Sequence, residues 1–330
     1  MKLTLLFLIL TVSTIFSQEK MMFGDTSRKG VPYSKDPHVV KFDGRYLMYF
    51  SIPPFKNKSN PIKGWNIGIA ESTDLINWEK IGEINPDGEN ESKGLCAPCA
   101  LVLNDEIHLF YQTYGNGRND AICHAVSKDG LNFKRNPTNP VFKPTGNWNC
   151  GRAIDAEVIK FNNQFLLYFA TRDPDYKIQI QGVAAAPINT NFNRGEWTQL
   201  TDSPIMKPEY EWEGKCVEGA SVIQRGDKLF MFYAGSYNNA PQQVGIAKSS
   251  DGIHWKKLSD KPFLPNGKPG EWNSSESGHP HIFLDTDGKT FLFYQGNNDN
   301  GKTWYISNIE VYWNNKGPFL KENNSLKEKL

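Results

Sequence analysis

Residues 36–50, DPHVVKFDGRYLMYF, form an apolar run, a polar Asp-Gly turn and a second run rich in aromatic side chains. This order predicts a β-hairpin, because Asp-Gly favours the tight turn that joins two antiparallel strands. The pattern returns in residues 97–111, 155–169, 218–233 and 279–294. The five segments start at 36, 97, 155, 218 and 279, so they are 61, 58, 63 and 61 positions apart. The chain therefore contains five copies of an internal repeat of about sixty residues.

Each of the first four hairpins is followed by a third strand and a closing aromatic residue, namely Trp78, Phe133, Trp197 and Trp255. In the fifth unit, residues 304–313 give a third strand, but no fourth strand is evident. Five units of four antiparallel strands predict an all-β fold, a five-bladed β-propeller. A pair of β-sandwiches is the alternative, although it would not require five equal periods. We expect residues 21–33 or the C-terminal tail to close the ring.

The N-terminus, MKLTLLFLILTVSTIFSQ, has the layout of a secretory signal peptide cleaved near Ser17-Gln18. Its apolar run is too short to span a bilayer, and no later run is long enough. We therefore predict a signal peptide at 1–17, one propeller domain at 18–313 and a polar C-terminal tail at 314–330. The expected location is secreted or periplasmic.

The charge balance argues against nucleic acid or an acidic membrane as a partner. The sequence has 37 basic and 36 acidic residues and a net charge of +1. A neutral or small ligand is expected, and the 13% of aromatic residues suit either stacking on sugars or a β-rich core. The sequence leaves the oligomeric state open.

Five cysteines permit a disulfide in an exported chain, but the odd number leaves at least one unpaired. Cys96 and Cys99 have the spacing of half a zinc site or a redox motif. A second pair of ligands at suitable spacing is missing, so a structural role is favoured.

In a propeller, the innermost strands start around one end of a central channel. The residues at these starts are Asp36, Ala97, Asp155, Glu218 and His279. Three carboxylates and an imidazole should therefore meet there. His38 and His281 are further imidazoles nearby, and together with His279 they are expected to bind substrate. A structural repeat would favour turn-forming residues at these positions, so this end of the channel is the predicted functional site.

Three tryptophans lie shortly before inner strands: Trp148 and Trp272 are seven residues upstream of Asp155 and His279, and Trp212 is six upstream of Glu218. Tryptophans around carboxylates suit a sugar site, because sugar rings pack on aromatic faces. Packing between blades is the alternative. Further subsite candidates are Gln112, Arg152 and Glu276, and Glu157 could face the channel one layer below Asp155.

The motifs SKDPHVV, AIDAEVI and VEGASVI, at 34–40, 153–159 and 217–223, resemble those of glycoside hydrolase family 43 and the related family 117. The resemblance covers the mature chain through Trp313. It implies that Asp36 is the general base, that Asp155 tunes and orients the acid, and that Glu218 is the general acid. It also implies that His279 helps to hold a calcium ion or a water network. In family 117 a histidine is the acid, so His279 or His281 could share that role.

The physical requirement agrees with this resemblance. An inverting glycosidase needs a base and an acid about 6.5 to 9.5 Å apart, with room for a water molecule, and blades one and four are not adjacent in a ring of five. The expected function is an exo-acting, inverting hydrolase of oligosaccharides or polysaccharides that requires no cofactor, with calcium as a candidate channel ion. The released sugar would be arabinofuranose, xylose, galactose or 3,6-anhydrogalactose, from plant or algal walls.

Two other functions stay open at this point. A non-catalytic sugar-binding propeller would use the same carboxylates to bind hydroxyl groups. A phosphorylase would need a basic pocket, and only Arg152 lies near the start of an inner strand. The Arg-Asp-Pro triplet at 172–174 is expected to lie in a loop, because Asp173 follows a second strand.

Overall fold

The computed structural model describes residues 20–321, and it confirms the predicted five-bladed β-propeller. Each blade is a sheet of four antiparallel strands, paired in chain order from the channel outward. The predicted signal peptide lies outside the described residues, as do residues 322–330. No helix within residues 20–321 is long and apolar enough to cross a membrane.

The strands follow the repeat along the chain. Blade one contains β1 (Lys35–Phe42), β2 (Arg45–Ile52), β3 (Asn66–Ser72) and β4 (Glu79–Ile84); blade two contains β5 (Leu95–Leu103), β6 (Glu106–Thr113), β7 (Ile122–Ser127) and β8 (Lys134–Arg135). Blade three contains β9 (Ile154–Phe161), β10 (Gln164–Arg172), β11 (Gln179–Pro187) and β12 (Thr198–Gln199); blade four contains β13 (Val217–Arg225), β14 (Lys228–Gly235), β15 (Gln243–Ser249) and β16 (Lys256–Lys257). Blade five contains β17 (Glu276–Leu284), β18 (Thr290–Asn297), β19 (Tyr305–Asn314) and β20 (Gly317–Phe319). Short 3₁₀ turns lie at Glu89–Glu91, Gly117–Asn119, Arg194–Glu196 and Glu211–Glu213.

The hydrophobic core lies between neighbouring blades. Five apolar clusters fill the five interfaces of the ring. The second strand of each blade contributes large buried aromatic side chains, such as Tyr49, Tyr111 and Tyr168. Burial of these side chains on both faces of each sheet explains why the second strands are rich in aromatic residues.

The N-terminal segment closes the ring. Phe23 pairs with Ile306 on the outer edge of β19, and Met21 and Phe23 pack in the apolar cluster between blades five and one. The fourth strand of blade five was missed from the sequence, because β20 has only three residues. It lies within the segment assigned to the polar tail, so the propeller extends beyond residue 313 to Phe319.

Candidate active site

The innermost strand of every blade has one extra residue near the channel mouth. In blade one, Lys35 lies opposite Ser51 but His38 lies opposite Tyr49, so three steps along β1 match two along β2. The other four inner strands have the same β-bulge, which bends a strand and re-aims a side chain. The bulged residue has a left-handed backbone in each blade: φ is 51° at Asp36, 49° at Ala97, 53° at Asp155, 56° at Gly219 and 45° at His279.

This register corrects the alignment of blade four. The sequence comparison set Glu218 against Asp36, whereas the structure sets Gly219 against Asp36 and Glu218 against Lys35. Glycine suits the bulge because it adopts a positive φ without strain. A Cβ atom at Gly219 would also lie 3.3 Å from Cδ2 of His279. Glu218 therefore enters the site from the residue before the bulge, unlike the two aspartates.

A pocket of about 210 Å³ opens at this mouth of the channel. All three predicted carboxylates line it and are largely buried, with 9% of Asp36, 7% of Asp155 and 6% of Glu218 exposed. Six of the residues expected from the sequence line the pocket: Asp36, Gln112, Arg152, Asp155, Glu218 and His279. The repeat therefore brings together residues that are up to 243 positions apart (279 minus 36).

His279 lies between the two aspartates. Its Nε2 atom is 3.6 Å from Oδ1 of Asp36 and 3.4 Å from Oδ1 of Asp155. Burial by itself would lower the pKa of His279, but the negative charges of Asp36 and Asp155 outweigh it and raise the pKa to about 9. The imidazole is therefore protonated at neutral pH and pairs with both carboxylates.

The charge on His279 also controls Asp36. Burial opposes ionisation of Asp36, but the positive charges of His279 and Lys35 outweigh that effect, so the pKa of Asp36 lies below its usual value. The backbone is fixed as well, since the Asp36 N–H donates to Gln295 Oε1 at 3.0 Å. Gln295 in turn donates to Glu276 Oε1 at 3.1 Å. Glu276, expected as a subsite residue, instead supports the residue that holds Asp36.

Glu218 has a different environment. Gln242 donates to its Oε1 atom at 2.7 Å, and Gln179 donates to its Oε2 atom. Burial is the main cause that raises the pKa of Glu218, and the charge of Asp155 is the second; together they bring the pKa to about 7. Near neutral pH, Glu218 can therefore hold a proton while Asp36 is ionised.

A second ring of side chains lies two residues further along the inner strands. It consists of His38, Cys99, Glu157, Ser221 and His281, and each bonds to the backbone of the next blade. Four of the side chains accept a hydrogen bond from a backbone N–H: His38 Nδ1 from Ala100 at 3.2 Å, Cys99 Sγ from Val158 at 3.3 Å, Glu157 Oε1 from Val222 at 2.8 Å and Ser221 Oγ from Ile282 at 3.0 Å. The fifth, His281, donates from Nε2 to the carbonyl of Val39 at 3.0 Å. These five hydrogen bonds close a circle through all the blades.

The second ring is a buried polar network and not a substrate surface. His38 Nε2 donates to Glu157 Oε2 at 3.2 Å, and the rings of His38 and His281 lie with their centroids 3.7 Å apart. Burial lowers the pKa of His38 to about 3 and that of His281 well below its usual value, so both imidazoles are neutral. The expectation that these two histidines bind substrate is corrected, because neither lines the pocket. Glu157 lies one layer below Asp155 in the channel, as expected.

One group in the second ring has metal-ligand geometry. Donor atoms of His38, Cys99 and Glu157 lie within 4.8 Å of one another, the one such group within residues 20–321. Calcium prefers oxygen ligands, so this mixed set of nitrogen, sulfur and oxygen does not fit it. The three donors are also engaged in the inter-blade bonds. His279 is not part of the group, and a calcium ion near His279 stays a prediction.

Comparison with known proteins adds an independent observation. The sequence model of glycosyl hydrolases family 43 matches residues 31–318. The chain belongs to this family. The assignment confirms the resemblance predicted from the short motifs of blades one, three and four.

Relatives of this family-43 chain include an extracellular exo-alpha-(1->5)-L-arabinofuranosidase of Streptomyces avermitilis, which is 23% identical over 86% of this chain and 60% of the relative. A beta-1,2-mannobiose phosphorylase of a Thermoanaerobacter species is 33% identical over 35% of this chain and 41% of the relative. The chain thus spans about half the length of these curated relatives. A solved thermostable family-43 glycoside hydrolase matches with a TM-score of 0.70 at 21% identity, over 91% of this chain and 96% of that chain. At this identity, the structural match supports the fold alone.

The three tryptophans predicted at the mouth of this family-43 pocket do not line it. Each lies over a glycine of its own blade. A Cβ atom added to the glycine would lie too close to the tryptophan ring in each case. The distance would be 2.8 Å between Gly182 and Trp148, 2.3 Å between Gly235 and Trp212, and 2.6 Å between Gly296 and Trp272. They pack within and between blades, which was the alternative. The aromatic residues that line the pocket are Trp65, Tyr114 and Tyr237.

Several other pocket residues were missed from the sequence: Lys35, Cys96, Arg172 and Gln179. They lie beside the bulges or at the ends of the second and third strands. Alignment of the second strands by their ends could have found Arg172, because that end faces the channel mouth. Asp173, which follows Arg172, does lie in a loop, where its Oδ1 atom accepts from Ile178 N–H at 2.7 Å.

The five cysteines are all buried and unpaired. Cys96 lines the pocket and Cys99 belongs to the second ring, so the two do not form half of a shared site. The β-bulge of β5 lies between Cys96 and Cys99 and assigns them to different layers of the channel.

Proposed function

We propose that this propeller is an exo-acting, inverting glycoside hydrolase. The observation that carries the proposal is the contrast between two carboxyl groups of one pocket: the pKa of Asp36 is lowered, whereas that of Glu218 is raised to about 7. A pair of carboxyl groups with opposite protonation states is what glycoside hydrolysis requires. Family membership supports the reaction class.

In the proposed mechanism Asp36 is the general base. It is ionised at neutral pH and is held by its backbone bond to Gln295 and by the ion pair with His279. Asp36 would take a proton from a water molecule as the water attacks the anomeric carbon. His279, which is protonated, would keep Asp36 oriented. Its positive charge would also reduce the electrostatic repulsion between Asp36 and Asp155.

Glu218 is the proposed general acid. Its proton would pass to the glycosidic oxygen as the bond to the anomeric carbon breaks. Gln242 and Gln179 fix the direction of the carboxyl group. Burial, together with the charge of Asp155, raises the pKa of Glu218 to about 7, so that the group can carry a proton near neutral pH. Asp155 Oδ2 is buried without a hydrogen-bond partner in the described part of the chain, and a hydroxyl group of the sugar would satisfy it.

The small pocket supports removal of a single terminal sugar, since its volume of about 210 Å³ lies below that of extended ligand clefts. We propose that the released sugar is arabinofuranose, xylose, galactose or 3,6-anhydrogalactose, from plant or algal wall oligosaccharides. The predicted signal peptide supports action outside the cytoplasm, in the periplasm or the medium.

The test combines a product screen with two variants. Oligosaccharides and aryl glycosides of the four sugars would be incubated with the protein, and proton NMR would identify the first anomer formed. Inversion is expected, and retention would contradict a base acting through water. Glu218→Gln should lose most activity on oligosaccharides but less on a dinitrophenyl glycoside, whose leaving group needs no proton, whereas Asp36→Asn should lose both. Wild-type rates in both variants would contradict the roles assigned to Asp36 and Glu218. Binding of a sugar without cleavage of any substrate in the screen would favour a non-catalytic sugar-binding protein.

A further inference from the structure

The pocket contains two arginines that a neutral sugar does not require. Arg152 and Arg172 both line the pocket, on its blade-three side. The Cys150 N–H donates to the carbonyl of Arg172 at 2.9 Å, which ties the loop that carries Arg152 to the end of β10. The two guanidinium groups therefore belong to one wall of the pocket.

Arg172 has no acidic partner. Its Nε atom donates to Gln179 Oε1 at 3.3 Å, and its guanidinium lies 5.3 Å from the ring centroid of Tyr237. No carboxylate within residues 20–321 forms an ion pair with it at 4.0 Å or less. Arg172 is half-buried, and an arginine partly withdrawn from water beside a pocket, without an acidic partner, indicates a charge that a ligand would balance.

Arg152 is only partly neutralised. Its Nε atom lies 3.4 Å from Asp120 Oδ2, but it is buried without a well-formed hydrogen bond. Its two terminal nitrogens have no hydrogen-bond partner among the described residues. Two guanidinium groups with free donors are the usual means of binding carboxylate, sulfate or phosphate oxygens.

The arginines are not explained by the need to balance the catalytic acids. His279 already pairs with Asp36 and Asp155, and two amide groups hold Glu218. Lys35 also lines the pocket. Burial opposes its charge, but the negative charges of Asp36 and Glu276 outweigh burial and raise the pKa of Lys35, so this cation already has acidic partners. The charge of Arg172 has no such counterpart.

We propose that Arg152 and Arg172 form an oxyanion-binding wall in the pocket. The oxyanion is a carboxylate or sulfate group on the sugar substrate, or else inorganic phosphate. The inference rests on the proposed function, because it names the substrate class of the same pocket. It adds a charged group to a substrate that the sequence alone predicted to be neutral.

The test measures binding without turnover. Isothermal titration calorimetry of the whole protein would compare D-galacturonate with D-galactose, which differ at C6, and with inorganic phosphate. Galacturonate or phosphate should bind on the order of tenfold more tightly than galactose, which corresponds to one charge-assisted hydrogen bond. Arg172→Gln and Arg152→Gln should each remove that advantage. Arg172→Lys should keep part of it, and the thermal unfolding of each variant would show that it is folded.

Arg45→Gln is the matched control, because Arg45 begins β2 at the end of the blade away from the pocket and pairs with Glu71. Preference for galacturonate over galactose, lost with the arginines, assigns the wall to a charged sugar. Phosphate binding with the same dependence and no such preference assigns it to free phosphate. Equal binding of all three ligands, or unchanged binding in both variants, overturns the inference. Cleavage is measured separately, so a neutral substrate that is hydrolysed leaves the proposed function standing even if the wall fails.

Discussion

Removal of the charge on Asp155 should shift the pH dependence of the reaction. The pKa of Glu218 rises from 4.5 to about 7, with burial as the larger cause and Asp155 as the second. Asp155 is therefore the largest charge effect that opposes ionisation of Glu218. In Asp155→Asn the pKa of Glu218 should fall by about one, to about 6, which corresponds to about 1.4 kcal/mol.

The assay is the pH profile of kcat/KM, which reports the ionisation of the free enzyme. A general acid works only while protonated, so the wild-type rate should fall as pH rises through about 7. In Asp155→Asn this fall should occur near pH 6, and the maximum should also be lower because Asp155 Oδ2 no longer accepts from the sugar. Asp202→Asn, at an exposed position, is the control for the loss of one negative charge. An unchanged midpoint, or one that moves upward, would refute the assignment of Asp155 as the residue that tunes the acid.

Three further predictions concern the scaffold of the site. Gly219→Ala should lower the free energy of unfolding by about 1 to 2 kcal/mol, and it should also reduce activity because the new Cβ atom presses on His279. The control is Gly226→Ala. Gly226 also has a positive φ, 60°, but has open space around it, so this variant should lose stability without losing activity. Glu157→Gln should cost about 1 to 3 kcal/mol in chemical denaturation, since Val222 N–H or His38 loses its acceptor, while the midpoint of the pH profile stays in place. The ion pairs that raise the pKa of His279 to about 9 stabilise the fold fully below pH 6.5, the pKa in the unfolded chain. Up to about 3 kcal/mol of the free energy of unfolding should therefore be lost as pH rises through about 9. A free energy of unfolding that stays constant between pH 7 and 10 would contradict these ion pairs.

The repeat made the fold predictable. Each hairpin has a turn and an aromatic second strand that are visible in a single sequence, and five equal periods leave few architectures. The fourth strand of blade five could not be predicted, because Gly317–Phe319 is too short to show a strand pattern and is defined by its pairing with β19. Closure by the N-terminal segment was one of two expectations, since contacts such as Phe23 with Ile306 depend on the final arrangement.

The side chains of the site were predictable where the repeat alone aims them. Asp36, Asp155 and His279 lie at bulges that recur in every blade, so their convergence follows from the period. The tryptophans were assigned wrongly because their spacing from the acids suggested the channel mouth. The glycines that they cover, such as Gly235, are the signal that was overlooked, since a glycine within a strand often marks a closely packed ring.

The role of the arginines in the pocket wall could not be predicted from the sequence. Arg172 ends a second strand, and in the sequence only an alignment of the strand ends would place it at the channel mouth. Its meaning comes from the absence of an ion-pair partner in the described residues, which is a property of the folded chain. Sequence patterns identify charges, but the pairing of those charges is decided by contacts between blades.

The one-residue slip at blade four is what separates the roles of the two acids. Asp36 and Asp155 are left-handed bulge residues and share His279, whose positive charge favours the ionised form of Asp36. Had the acid of blade four occupied the bulge at position 219, it would have faced the same imidazolium. Glycine at the bulge instead admits the ring of His279, and Glu218, one residue earlier, is held by amide groups that carry no charge. A repeat that is symmetric in backbone thus yields two carboxyl environments, because one blade places its acid on the other side of the bulge.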